Sequence, residues 1–238
     1  VLLRDLPSLY HVADVRELQR FFSYAAFHTG TVQTYETLSR EIGLSKHLIQ
    51  NFIDYLESAF LLTKLERVDV NALTLKRAMQ FKFYLTNTSL RASMFQPVAK
   101  TGDPYLGRVV ETAVSGQLGI GEERRDWRYA NWKVGRNQGE VDFVRMNAAT
   151  QMPETCFEVK WTDGPFEHVN ELRDSIRFLD QNGFKQLMVT SKTEFGVKKL
   201  GEREFVFVPT ALFAYALGKM RFVKQENGFG EIFLFRQK

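Results

Sequence analysis

Two short runs, Gly139-Glu140-Val141-Asp142-Phe143-Val144 and Phe157-Glu158-Val159-Lys160-Trp161, alternate charged and apolar side chains. A period of two belongs to β-strands, where successive residues point to opposite faces. Glu140 and Asp142 therefore share one face, as do Glu158 and Lys160, while Val141, Phe143, Phe157, Val159 and Trp161 turn the other way. A charged row on an arbitrary strand is usually solvated. Here the runs sit in a compact βαβ-type pattern, whose central strands are covered on both faces, so a charged row in that setting calls for a chemical reason.

At 238 residues the chain is long enough for two modest cores. The turn chemistry of Pro97 to Pro104 marks a linker, which predicts one domain over residues 1–96 and a second over 97–238. A hydrophobic share of 44% with 25% charged residues describes a globular chain. No apolar run approaches the roughly 20 residues of a bilayer span, so no membrane is expected. The single cysteine, Cys156, excludes an internal disulfide and a Cys-rich zinc module, which suits a reducing cytoplasm; within an apolar strand it reads as inert packing. A net charge of +4 and a pI near 9.1 permit contact with nucleic acid without requiring it. The chain opens on Val1 with no signal-peptide layout and reads as a piece of something longer.

In the first part, Asp14 stands three residues before Glu17 as a capping pair, and Leu18, Phe21, Phe22, Ala25 and Ala26 follow at helical spacing. A second helix is predicted over Tyr35 to Ile42, a turn at Gly43-Leu44-Ser45, and a third helix from Lys46 to about Glu57 on Ile49, Phe52, Ile53 and Leu56. Two strands around Leu61 to Leu65 and Phe81 to Leu85 complete a winged helix-turn-helix pattern. In such a unit the third helix enters the major groove, and its polar face carries Lys46, His47, Gln50 and Asn51, with Gln and Asn suited to adenine. Asp54 and Glu57 near that face fit a protein-docking role as well.

The second part predicts a helix from Tyr105 to Leu118, strands over Trp127 to Val134, Glu140 to Met146 and Thr155 to Trp161, then a helix from Glu167 to Leu179. Strands at Gln186 to Thr190 and Phe205 to Val208 and a last helix around Ala211 to Leu217 follow, giving an α/β fold in the order αβββαβ with additions. Glu111 lies at the edge of the helix's apolar stripe beside Val114 and Leu118, half buried. Glu111, Asp142, Glu158 and Lys160 together match metal-assisted phosphodiester hydrolysis. Hard carboxylate oxygens suit Mg²⁺ or Mn²⁺, with Asp142 and Glu158 as ligands and Glu111 completing the shell. Lys160 would orient the attacking water or stabilise charge on the phosphoryl oxygens. His11, His28, His47 and His168 show no metal-ligand spacing, and Trp127 and Trp132 read as core anchors.

The quartet in this order of elements resembles the PD-(D/E)xK nuclease superfamily, a restriction-endonuclease-like fold, with Glu111 on the first helix, Asp142 on the second strand and Glu158-Val159-Lys160 on the third. Nearly the whole chain is similar to the C-terminal region of a large prokaryotic family of AAA-type ATPases that carry a domain of unknown function. The residues that carry this likeness are Arg4-Asp5-Leu6, Tyr55-Leu56-Glu57 and Gly107-Arg108-Val109-Val110-Glu111, then Trp127-Arg128 and the two alternating runs. The resemblance implies an N-terminal ATPase domain that binds ATP outside this sequence, with DNA as the second partner. Gly119-Ile120-Gly121 is a plain turn and not a phosphate loop. Asn87 and Ser89 stand where the family usually has an Asp and a Gly. Two alternatives remain open: a catalytically inactive nuclease-fold module that recognises DNA or protein, and a chain whose charge serves assembly into a homo-oligomer without nucleic acid.

Overall fold

The computed structural model describes residues 4–12, 14–68, 80–98, 105–119, 124–134 and 137–227. The chain divides into two compact units, Val1–Glu66 with Lys76–Gly116, and Arg67–Leu75 with Gln117–Lys238. Both mix helices and strands. No helix among the described residues is long and apolar enough to cross a membrane.

The first unit comprises α1 (Asp5–Tyr10), α2 (Val15–Phe27), β1 (Val32–Thr34), α3 (Tyr35–Ile42), α4 (Lys46–Ser58), β2 (Leu62–Glu66), β3 (Gln80–Leu85), α5 (Thr88–Met94) and α6 (Leu106–Gln117). Local chemistry sets most of these ends. The Asp14 side chain accepts from the Arg16 and Glu17 amides at the start of α2, and Thr34 and Ser45 cap α3 and α4 in the same way. Gly43, at φ +76, closes α3 in the left-handed conformation that suits glycine. Leu18, Phe21 and Phe22 of α2 pack with Phe52 and Leu56 of α4 and Phe83 of β3. Among the described residues the strand order is β1-β3-β2, all antiparallel, with Thr63 opposite Tyr84 and Gln33 opposite Phe81. The polar stretch that joins β2 to β3 and most of the expected 97–104 linker lie outside the described residues.

The helix expected to open the second domain, α6, packs in the first unit instead. Three contacts hold it there. The Thr112 hydroxyl shares a hydrogen bond with that of Thr29, Glu111 meets Lys82 and Tyr84, and Gly116 lies so close to the Thr86 carbonyl that a Cβ would stand 2.9 Å from it. The position filled by Asn87 caps α5, its side chain accepting from the Ser89 amide at 2.8 Å.

The second unit comprises β4 (Trp127–Val134), β5 (Asn137–Met146), β6 (Pro153–Glu158), α7 (Gly164–Glu167), a short 3-10 turn at Val169–Leu172, α8 (Arg173–Asn182), β7 (Gln186–Ser191), β8 (Gly196–Leu200), β9 (Arg203–Pro209) and α9 (Thr210–Asn227). Among the described residues one sheet runs β4-β5-β6-β7-β9-β8. β4, β5 and β6 pair antiparallel, β6 with β7 and β7 with β9 parallel, and β8 returns antiparallel on β9. Phe178 and Leu179 of α8 pack with Val141, Leu187 and Val189, while Phe213 of α9 meets Phe157 with ring centroids 5.1 Å apart. The sheet is thus covered on both faces. Residues 141–144 are all buried for that reason, Asp142 among them.

Candidate active site

β6 was expected to run to Trp161 and its ladder stops at Glu158. Side chains take over the backbone groups beyond that point. The Val159 amide donates to Asp142 Oδ2 at 2.9 Å, and the Lys160 amide donates to Thr190 Oγ1 at 2.9 Å. The Lys160 carbonyl accepts from the hydroxyls of Thr190 and Thr210, each at 3.2 Å. The strand end therefore sits in a side-chain clamp rather than in a sheet ladder.

The register brings the predicted acids together. Phe143 lies opposite Phe157 in the antiparallel β5–β6 pair, which sets Asp142 opposite Glu158. Asp142 is 9% exposed and Glu158 2%. Glu158 Oε2 accepts from Lys160 Nζ at 2.9 Å, and Oε1 from Ser175 Oγ of α8 at 2.6 Å. Burial and then the nearby Asp142 carboxylate push the Glu158 carboxyl up to about 8, against the opposing pull of Lys160 and Ser175. Two acids this close in a dry setting resist double ionisation, and a cation would relieve them. The Lys160 side chain keeps 35% exposure and so links the buried acid to solvent.

The cluster stands at the carboxyl ends of β6 and β7, with Thr210 just past the end of β9. Open α/β sheets bind ligands at that edge. The loops there are tied to each other: Asp163 accepts from the amides of Lys192, Thr193 and Glu194 and from the Thr193 hydroxyl, which holds its carboxyl below the usual range.

Glu111 is placed in the first unit, where its Oε1 meets Lys82 Nζ at 3.0 Å and the Tyr84 hydroxyl. Among the described residues no three His, Cys, Asp or Glu side chains converge in a way that could hold a metal ion. What the second unit assembles is the pair Asp142 and Glu158 with Lys160. Mg²⁺ is commonly held by one or two carboxylates, with waters and substrate phosphate filling the other positions, so the donor chemistry of this pair fits that ion.

On α4, Lys46 and His47 are exposed, Gln50 and Asn51 half-buried, and Asp54 exposed beside them. Lys46 is bonded to Glu36 of α3. Trp127 packs against Phe157 at 5.4 Å between ring centroids, and Trp132 stacks on Phe178 at 6.4 Å. Cys156 is buried, and burial pushes its thiol pKa up, away from reactivity. Gly119 adopts φ +108, while Ile120 and Gly121 lie outside the described residues.

Sequence reading missed Ser175, Thr190 and Thr210. Ser175 had a signal: with Phe178 and Leu179 it forms an i, i+3, i+4 set, which places a hydroxyl on the buried face of α8. No curated protein and no solved structure matches the chain. Residues 1–101 match the model of a domain family of unknown function, DUF8612.

Proposed function

We propose that the second unit is a metal-dependent nuclease of the PD-(D/E)xK type, and that the first is a DNA-binding winged helix. In this reading both belong to the C-terminal region of a cytoplasmic AAA-type protein whose ATPase domain binds ATP. One observation carries the nuclease assignment: Asp142 opposite Glu158, with Lys160 Nζ 2.9 Å from Glu158 Oε2, at the carboxyl end of β6, which runs parallel to β7. Asp142 and Glu158 would hold Mg²⁺ or Mn²⁺. A bound ion of this kind polarises a phosphoryl oxygen and lowers the pKa of water.

The chain's own part is positional and electrostatic. Water adds to phosphorus, the ester P–O bond breaks, and the leaving oxygen takes up a proton. The Lys160 ammonium, held by a clamped backbone, stands ready to stabilise charge that builds on the non-bridging oxygens. Its partial exposure suits a group that must meet substrate.

For the first unit, support comes from its order of helix, strand, two helices and two strands, with the first strand beside the last. A winged helix has that order, and in this reading α4, with Lys46, His47, Gln50 and Asn51, is the groove-reading helix. The wider ATPase setting rests on the sequence likeness. The test is incubation of the chain with plasmid and single-stranded DNA in Mg²⁺ or Mn²⁺, with and without chelator. Chelator-sensitive cleavage lost in Asp142→Ala and Lys160→Ala is expected; cleavage that survives both overturns the roles assigned.

A second reading keeps the fold and drops the chemistry. The bonding of Glu111 to Lys82 and Tyr84 within the first unit favours it, because the metal shell then lacks the third acid expected. Metal-independent DNA or protein binding without cleavage would support that reading.

A further inference from the structure

We propose that Ser175 is a positioning residue for the metal site, fixing the Glu158 carboxylate so that it can face a divalent cation together with Asp142. The inference rests on the nuclease reading above. Glu158 is sealed from solvent, so protein groups alone orient it. Its two oxygens have different partners: Oε1 takes the Ser175 hydroxyl at 2.6 Å and Oε2 the Lys160 ammonium at 2.9 Å.

The two contacts differ in kind. Lys160 is a long, partly exposed chain able to leave when substrate arrives. Ser175 is 2% exposed, has one rotatable bond to its hydroxyl carbon, and rides on α8, whose Phe178 and Leu179 are locked in the core. It is the rigid anchor of the carboxylate, and Lys160 is the movable one. Groups that orient ligands from behind typically change metal affinity by about 10- to 100-fold when removed.

Ser191 supplies an internal control. It is also a buried hydroxyl of the second unit, 1% exposed, but its bond goes to the Glu194 carbonyl and not to a carboxylate. Ser191→Ala removes a buried serine hydroxyl while leaving the Ser175 and Lys160 contacts of Glu158 in place.

The experiment is a Mn²⁺ titration of the 238-residue chain followed by electron paramagnetic resonance, with Ser175→Ala, Ser175→Thr and Ser191→Ala alongside and no DNA present. Ser175→Ala is expected to bind Mn²⁺ about 10-fold or more weakly. Ser175→Thr, which keeps a hydroxyl, is expected to recover most of that loss, and Ser191→Ala to bind as the parent does. Equal affinity in Ser175→Ala and the parent overturns the positioning role while leaving the nuclease reading standing. An equal loss in Ser191→Ala overturns it too, since general loosening would then suffice. No Mn²⁺ binding by the parent chain overturns both.

Discussion

In the first unit Glu111 meets Lys82 at 3.0 Å, and in the second Glu158 meets Lys160 at 2.9 Å. The same two residue types at the same distance have opposite settings. Lys82 is the sealed partner, its side chain 1% exposed, and Glu111 is the one nearer solvent at 13%. In the second unit the carboxylate is sealed at 3% and the lysine opens outward at 35%. Glu111 has a phenol beside it, Tyr84, whereas Glu158 faces a second carboxylate, Asp142. A pair with a buried cation balances a charge inside a core. A pair of acids with an outward lysine stores like-charge tension beside a group that solvent reaches, and such perturbed groups cluster where chemistry is done.

The comparison breaks most directly at Glu111. Glu111→Ala leaves the Lys82 ammonium in a buried site without the carboxylate that meets it, a change that typically costs about 3–5 kcal/mol. Guanidinium unfolding should report that loss, and the double change Glu111→Leu with Lys82→Met should restore most of it. A loss in Glu111→Ala below about 1 kcal/mol would make the ion pair incidental.

Lys160→Ala is the matched experiment in the second unit. Because the side chain is partly exposed, the unfolding free energy should move by less than about 1 kcal/mol. Turnover should drop about 100-fold or more, the usual consequence of removing one group that stabilises transition-state charge. Steady-state cleavage and chemical denaturation on the same preparation separate the two effects. Stability lost with turnover intact would place Lys160 beside Lys82 as a structural cation.

What made the second pair legible and the first opaque is the range of the forces involved. Period-two alternation put Asp142 on one face of β5 and Glu158 with Lys160 on one face of β6, and strand pairing did the rest. The cap of α2 was equally plain, since Asp14 bonds within three residues; Thr34 and Ser45 cap α3 and α4 over the same short range, and Ser45 was read only as a turn residue. Glu111 could be read as half-buried from its helical stripe, yet nothing local told which partner would cover it. Lys82 stands between Phe81 and Phe83 in β3, and it is buried beside a carboxylate 29 residues away. β1 and β8 were missed for the same reason: their strand character comes from pairing with β3 and β9, not from their own short sequences.

The raised Glu158 carboxyl sharpens the contrast through pH. In the unfolded chain this group titrates near 4.5, and in the folded chain near 8. Between those values the folded state keeps a proton that the unfolded state has released, so this group makes stability fall as pH rises from about 4.5 to about 8. Below and above that window its contribution is flat. Glu158→Gln, which cannot titrate, should remove this share of the slope, and unfolding free energies at pH 5 and pH 8 measure it. Mn²⁺ must displace the proton, so its affinity should climb as pH passes through about 8. A pH slope identical in Glu158→Gln and the parent would put the buried acid on the same footing as Glu111.

The smallest effect concerns the proposed division of labour, with binding in the first unit and chemistry in the second. On α4 the exposed Lys46 is bonded to Glu36 of α3, and that contact holds the Glu36 carboxyl below its ordinary range. A DNA phosphate would have to compete with Glu36 for this cation. Lys46→Ala should therefore weaken binding across all sequences and reduce the slope of log affinity against log salt by about one. Glu36→Gln removes the competitor and should strengthen binding slightly. Fluorescence anisotropy of a labelled duplex over a salt series reads both changes. If neither substitution moves the salt slope while the duplex still binds, the phosphate contacts lie elsewhere and α4 is a protein-docking face, which leaves the second unit to find DNA by itself.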